Sequence, residues 1–169
     1  GITNDISTIF SNENIAPGAI PIVIDLDPSA GNGPEIISLK EGVEGILMFS
    51  HANGELTKVG ELNTPALLPH TTLLTVDIDP GAGNGPELLF LDALGTLYLY
   101  GNYSRTTGTM EELMVFPLHA TGHHGLSATD IEGDGMVDII SWDAVVRIRK
   151  EGDNIVPEVY RMTRSDGTT

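Results

Sequence analysis

The sequence predicts an all-β protein built from three similar units of four antiparallel strands. Three observations support this fold class: an acidic loop that occurs three times, strand-length apolar segments around each loop, and no sustained helical periodicity. The first two loops, residues 25–35 and 77–87, agree through Asp-x-Asp-Pro-x-Ala-Gly-Asn-Gly-Pro-Glu. A third, shorter loop begins at Asp130, so the leading aspartates are 52 and 53 residues apart.

Each copy of the repeat contains four apolar segments bounded by Gly, Asn, Asp or Pro. They read PIVIDLD, PEIISL, GILMFS and ELTKVGEL in the first copy; LLTVDID, PELLFL, TLYLYG and EELMVFPL in the second; LSATDIE, VDIISW, AVVRIRK and VPEVYRM in the third. Four antiparallel strands in about 50 residues make one blade of a β-propeller. We therefore expect a single domain over residues 1–169, with blades at about 18–69, 70–122 and 123–164.

Composition limits the functions that this fold can serve. The 169 residues are 40% hydrophobic and carry a net charge of -16, which is typical of a globular chain and unfavourable for contact with nucleic acid or an anionic membrane. No apolar run reaches the roughly 20 residues of a membrane span, and the lack of cysteine excludes disulfides and thiolate metal sites. The chain starts at Gly1 without a charged leader, so we expect any signal peptide to have been removed or never to have been present.

The third loop crowds four carboxylates into nine residues, which is favourable if a cation lies among them. Ca²⁺ takes six to eight oxygen ligands at about 2.3–2.6 Å. Alternate loop residues can point inward, so the carboxylates of Asp130, Glu132 and Asp134 are candidate ligands. The main-chain carbonyl of Met136 would add an oxygen, and Asp138 would complete the coordination shell.

The two longer loops carry fewer carboxylates and are expected to bind Ca²⁺ more weakly. Their candidate ligands are Asp25, Asp27, Asn32 and Glu35 in the first loop, and Asp77, Asp79, Asn84 and Glu87 in the second. Mg²⁺ is less suitable, because it prefers strict octahedral geometry and retained waters. The alternative is three solvated acidic turns, since Asp, Asn and Gly are common turn formers. Three such loops in register, each followed by an apolar strand, favour up to three Ca²⁺ ions.

The third loop resembles the FG-GAP/VCBS repeats of integrin-type β-propellers. The matching positions are Asp130, Glu132, Asp134, Gly135, Asp138 and Ile139, with Glu132 in place of the usual Asp. The other two loops are similar to the variant closed by Pro-Glu-[Ile/Leu], although they are two residues longer and lack the middle acid. The resemblance implies a fold-supporting calcium ion between the first two strands of each blade, in an extracellular or cell-surface protein.

Other candidate residues support weaker alternatives. His51, His70, His119, His123 and His124 could bind a transition metal or lie exposed in loops, and the second interpretation is favoured because no matched acid accompanies them. Tyr98, Tyr100, Tyr103 and Trp142 could stack on a sugar, although the period-two spacing of Tyr98 and Tyr100 favours packing or display on the sheet. Asn102 begins the only N-glycosylation sequon, which fits a secreted glycoprotein. No Ser-His-Asp context is present and the metal loops already explain the clustered acids, so we expect no catalysis.

Three blades are too few for a closed ring, because propellers close with about four to eight. Open sheet edges are a liability for a soluble monomer. We expect the array to be completed by a longer chain, by a homodimer of six blades or by head-to-tail stacking into a fibre. Residues 1–17 are a candidate closing or donated strand.

The sequence therefore predicts an extracellular calcium-binding repeat protein with a structural or adhesive, self-associating role. Its expected partners are other copies of itself, or an extracellular protein or glycan. A lectin-type carbohydrate-binding propeller and an accessory domain of a secreted enzyme remain the alternatives.

Overall fold

A computed structural model describes residues 15–16, 18–31, 33–40, 44–52, 55–67, 71–80, 84–118, 125–141, 144–152 and 154–161. Within these ranges the chain forms twelve β-strands and one 3₁₀ turn at Pro28–Ala30. The described residues include no helix long and apolar enough to cross a membrane. Asn32, His70, His119, His123, His124, Trp142 and most of the predicted closing strand 1–17 lie outside the described residues.

The twelve strands form three four-stranded antiparallel sheets, which confirms the predicted all-β class. Sheet 1 contains β1 (Ile22–Ile24), β2 (Glu35–Leu39), β3 (Glu44–Ala52) and β4 (Glu55–Ala66). Sheet 2 contains β5 (Leu74–Val76), β6 (Glu87–Leu91), β7 (Thr96–Ser104) and β8 (Thr109–Pro117). Sheet 3 contains β9 (Ser127–Thr129), β10 (Val137–Ile140), β11 (Ala144–Glu151) and β12 (Asn154–Arg161). Strands that are consecutive in sequence are neighbours in every sheet, so each repeat folds locally as one meander.

Sheet 2 is buried on both faces because its strands alternate between two apolar cores. Leu88 and Phe90 of β6 pack in a core shared with sheet 1. Leu89 and Leu91 point the other way, into a core shared with sheet 3. All five residues of β6 are buried, which explains why the segment ELLFL reads as a continuous apolar run. The three sheets are therefore packed in chain order, with sheet 2 in the middle.

The two cores hold the sheets together. The first contains Ile37, Ile46 and Met48 of sheet 1, and the second contains Ile139, Val146 and Ile148 of sheet 3. A fully buried Leu, Ile or Phe side chain contributes about 1.5–3 kcal/mol, whereas an exposed ion pair contributes about 0–1 kcal/mol. Apolar packing therefore outweighs the surface charges in fixing the order of the sheets.

Sheets 1 and 2 also approach at the level of their backbones. Gly60 of β4 lies against Gly108, in the turn between β7 and β8. A Cβ atom added at Gly108 would lie 2.0 Å from the carbonyl oxygen of Val59. This contact involves main-chain atoms, so a side chain could be accommodated only by moving the sheets apart.

The N-terminal segment reaches sheet 1 at the end of β2. Ile15 forms an antiparallel bridge with Lys40, and the Ala16 N–H donates to the Leu39 carbonyl at 3.0 Å. Only Ile15 and Ala16 of the proposed closing strand are described, so its role stays a prediction.

We expect Gly108→Ala to destabilise the protein by about 2–5 kcal/mol, combining a left-handed backbone cost of about 1–2 kcal/mol with overpacking. Gly152→Ala is the matched control, because Gly152 has nearly the same φ (64° against 65°) and a Cβ there would contact nothing within 4 Å. The control should show the backbone cost alone. Chemical denaturation measures both; equal losses would contradict the close approach of sheets 1 and 2.

Candidate metal loops

The second strand of each sheet carries a buried acid as its first or second residue, and this acid is hydrogen-bonded to the loop before it. We call Glu35, Glu87 and Asp138 the closing acids; their exposed fractions are 1%, 1% and 0%. Each carboxylate accepts a hydrogen bond from the residue that follows the leading aspartate. The donors are the N–H groups of Leu26 at 3.0 Å, Ile78 at 3.0 Å and Ile131 at 2.9 Å. The same contact therefore closes all three loops, although the third is shorter and uses Asp instead of Glu.

The leading aspartates of the first two loops form matching turns. The Asp27 N–H donates to Asp25 Oδ1 at 3.2 Å, and the Asp79 N–H donates to Asp77 Oδ1 at 3.1 Å. Such bonds from an aspartate to the backbone two residues later are common in turns. They use one carboxylate oxygen each, so the other oxygen of Asp25 and of Asp77 carries no described hydrogen bond.

Asp130 organises the third loop more completely than its counterparts organise theirs. Its two carboxylate oxygens accept three backbone N–H groups, from Gly133 at 2.6 Å, Asp134 at 3.1 Å and Gly135 at 2.7 Å. These hydrogen bonds, that from Gly135 first among them, lower the pKa of Asp130. Hydrogen bonding to the ionised form accounts for the direction of this shift.

The third loop already contains a cation, the guanidinium of Arg147 on β11. Arg147 is only 7% exposed. It lies directly opposite Asp138 in the antiparallel pair of β11 and β10. Its Nε lies 2.9 Å from Asp138 Oδ1, and its Nη1 lies 3.0 Å from Glu132 Oε2 and 3.8 Å from Asp134 Oδ2. The hydrogen bond from Arg147 lowers the pKa of Asp138, and the same bond is the main cause of a raised pKa for Arg147. No sequence motif singled out this residue; the available signal was a base between Val146 and Ile148 in the apolar part of the segment AVVRIRK.

The positions that correspond to Arg147 carry no charge in the other two sheets. Ser50 pairs with Glu35 across sheet 1, and its buried hydroxyl has no partner among the described residues. Gly101 lies beside Glu87 in sheet 2, where an added Cβ would be 3.0 Å from Glu87 Cγ. The small residue leaves space for the glutamate side chain but supplies no counter-charge.

The closing acids of sheets 1 and 2 have different electrostatic surroundings. Arg105, in the turn after β7, places its Nη1 3.8 Å from Glu35 Oε1. Glu87 forms no ion pair within the part of the chain that the structure describes, and Lys150 acts on it only as a minor, longer-range charge. Burial is the main cause of the raised pKa of Glu87, and the neighbouring Asp77 raises it further. Lys150 instead contacts Asp79 in the same loop.

Two other predicted ligand residues, Asn84 and Met136, make hydrogen bonds within the protein. The Asn84 side-chain amide donates to Asn102 Oδ1 at 3.4 Å, and the Met136 N–H donates to Asp134 Oδ1 at 3.0 Å. Across the described ranges, no three acidic or histidine side chains converge in a group able to hold a metal. The second loop includes residues 81–83, and the first includes Asn32, which fall outside those ranges.

The tyrosines considered for sugar stacking are part of the first core. Tyr98 and Tyr100 stack on Phe90, with ring centroids 5.4 Å and 5.8 Å away. Tyr100 is 5% exposed, and burial together with its bond to Glu112 raises its pKa. Tyr103 also packs against this core. The interpretation of Tyr98 and Tyr100 as packing residues is therefore confirmed. Asn102 is exposed on β7, His51 is exposed on β3, and glycosylation of Asn102 stays a prediction.

Comparison with known proteins gives no relative: no protein-family model matches the chain, and neither the curated proteins nor the solved structures contain a match. The functional assignment therefore depends on the geometry of the three loops.

We expect Glu87→Gln to stabilise the protein at pH 7 in the presence of a chelator. The amide keeps an oxygen for the Ile78 N–H and removes a buried charge, so the gain should be on the order of 1 kcal/mol, or about 2–4 °C in melting temperature. Because the folded state raises the pKa of Glu87, it retains a proton that the unfolded chain has lost above the ordinary value of 4.5. The wild-type contribution of Glu87 to stability therefore falls as pH rises from about 4.5 through the folded pKa.

Thermal melts between pH 4 and pH 8 would measure this dependence. Glu151→Gln is the control, since Glu151 is an exposed carboxylate at the end of β11. A Glu87→Gln protein that melts lower than the wild type in chelator at pH 7 would contradict an uncompensated charge at this position.

Proposed function

We propose that this chain is an extracellular, calcium-stabilised repeat protein with a structural or adhesive role and no catalytic activity of its own. The observation that carries the proposal is the buried carboxylate of Glu87, which lies beside Asp77 and forms no described ion pair. A buried ionised group is unfavourable unless it is paired or coordinates a metal. A hard dication at the second loop would compensate Glu87 and Asp77 together, and it would replace Lys150 as the partner of Asp79.

The first loop supports the same role. It repeats the sequence of the second loop, and its backbone makes the same two hydrogen bonds, to Asp25 and to Glu35. We propose that Asp25, Asp27 and Glu35 bind one Ca²⁺, and that Asp77, Asp79 and Glu87 bind another. The aspartate side chains would have to turn toward the ion and exchange some of their present contacts with loop amides, Ser29 and Lys150 for metal ligation.

We further propose that the sheets are arranged as consecutive blades of a propeller. Two features support this arrangement: the middle sheet is buried on both faces, and each neighbouring pair of sheets shares one core. The face of sheet 3 that points away from sheet 2 carries half-buried Val145 and Val156 together with Tyr160, which is 50% exposed. A second copy of the chain is the partner that we propose for such an end face.

No observation favours a second function. The lectin alternative depended on aromatic rings that are free to stack on a sugar. The rings of Tyr98 and Tyr100 instead stack on Phe90. His51 lies alone at the end of β3 among the described residues, so a histidine-based metal site has no described partner.

Calcium should raise the melting temperature in a saturable manner, because a ligand that binds only the folded state stabilises it by about 2.7 kcal/mol at a concentration of 100 Kd. EDTA should reverse the shift, and Mg²⁺ at the same concentration should produce a smaller one. Glu87→Gln should reduce the calcium-dependent part of the shift although it stabilises the metal-free protein. Identical melts in calcium and in EDTA would contradict the proposal.

Sedimentation velocity on the same samples tests the self-associating role. We expect a species larger than the 18.0 kDa monomer in the presence of calcium. A discrete dimer would indicate a ring of six sheets, and a broad distribution of sizes would indicate a fibre. A monomer at every protein concentration, with calcium present, would contradict self-association.

A further inference from the structure

The third loop has the most carboxylates and is, from its sequence, the strongest candidate for calcium. We propose that Arg147 is instead the resident cation of this loop, so that the loop folds without a metal and does not bind Ca²⁺. In the first two loops Ser50 and Gly101 stand at the position of this arginine, and these loops are left as the sites for an external cation. The statement about the first two loops rests on the proposed function; the statement about the third does not.

The contacts of the guanidinium satisfy the acids that a metal would need. Arg147 bonds to Asp138 through Nε at 2.9 Å and approaches its second oxygen with Nη2 at 3.4 Å. The same side chain binds Glu132 at 3.0 Å and lies 3.8 Å from Asp134. Asp130 has both oxygens occupied by backbone N–H groups. All four carboxylates of the loop thus have partners within the protein.

Calcium and this guanidinium cannot share the loop. Ca²⁺ requires six to eight oxygens at about 2.3–2.6 Å, and the carboxylates that would supply them already surround Arg147. An arginine stays charged at every ordinary pH, so it cannot make way by losing a proton. A dication among these acids would therefore face an adjacent positive charge, and it could enter only if the buried side chain left the loop.

The backbone and neighbours of Arg147 keep it in this place. The flanking residues Val146 and Ile148 point into the second core, which fixes β11 beneath the loop. On the outer side, the ring of Tyr160 lies 6.0 Å from the guanidinium carbon, at the limit of a cation–π contact. Bidentate contact with a carboxylate suits the planar guanidinium, so lysine would not reproduce it.

One position in each sheet therefore decides the source of the cation. The residue opposite or beside the closing acid is Ser50 in sheet 1, Gly101 in sheet 2 and Arg147 in sheet 3. Ser50 and Gly101 are uncharged, whereas Arg147 supplies a counter-charge to the closing acid of its own sheet. Loop sequence alone predicts the reverse order of calcium affinity, because the deciding residue lies on the following strand.

Calorimetric titration with Ca²⁺ tests the inference by stoichiometry. The wild type is expected to bind two ions, and Arg147→Ala is expected to bind three, because the truncation leaves Glu132, Asp134 and Asp138 without their cation. Arg149→Ala is the matched control: Arg149 lies on the same strand, is more exposed and pairs with Glu158 at 3.1 Å. The control should bind the same number of ions as the wild type.

The decisive comparison is the difference between variant and wild type. A gain of one ion in Arg147→Ala supports the inference even if the wild type binds none, a result that would overturn only the proposed function of the first two loops. No gain in a folded Arg147→Ala protein, or an equal gain in Arg149→Ala, would overturn the inference.

Hydrogen exchange of the wild type provides a test that does not depend on the variant folding. The amides of Ile131, Gly133 and Gly135 donate to loop carboxylates and should keep the same protection in EDTA as in calcium. Loss of their protection by a factor of ten or more in EDTA, with the rest of sheet 3 still protected, would show a metal-dependent third loop and overturn the inference.

Discussion

A buried carboxylate at the start of the second strand is the constraint on which each sheet depends. Glu35, Glu87 and Asp138 are all withdrawn from water, and each must be compensated because a buried charge without partners is strongly unfavourable. A backbone N–H from the preceding loop supplies part of the compensation in every sheet. This requirement brings the loop back to the strand, so the length of the loop can vary while its closure does not.

The same acids couple the loops to the packing of the sheets. Glu35 and Glu87 lie on the strand faces that also carry Ile37 and Leu89, which pack against the next sheet in the chain. Bases from that next sheet reach back to the loops: Arg105 of sheet 2 approaches Glu35, and Lys150 of sheet 3 contacts Asp79. Asp138 lies on the face of sheet 3 that points away from sheet 2, and Arg147 of its own sheet compensates it. Loop electrostatics and sheet order are thus parts of one arrangement.

Most of the fold could be predicted from the sequence, because the repeat and the period-two apolar pattern specify local meanders. The apolar segments were predicted as strands, and the alternate positions of Tyr98 and Tyr100 favoured packing or display on the sheet. The predicted first strand of each repeat was too long, because β1, β5 and β9 each end at the residue before the leading aspartate. The role of Arg147 could not be predicted from the loop motif, because it depends on the cross-strand register of β10 and β11. The backbone contact of Gly108 with Val59 likewise joins residues of two different repeats.

A crystal structure of the calcium-loaded protein, with anomalous scattering collected at a wavelength where calcium contributes, tests the central claim most directly. We expect anomalous density beside Glu35 and beside Glu87, and a guanidinium without metal density beside Asp138. Density for calcium among Asp130, Asp134 and Asp138, with Arg147 displaced, would contradict it. So would a well-ordered second loop in which the carboxylate of Glu87 contacts only water and backbone.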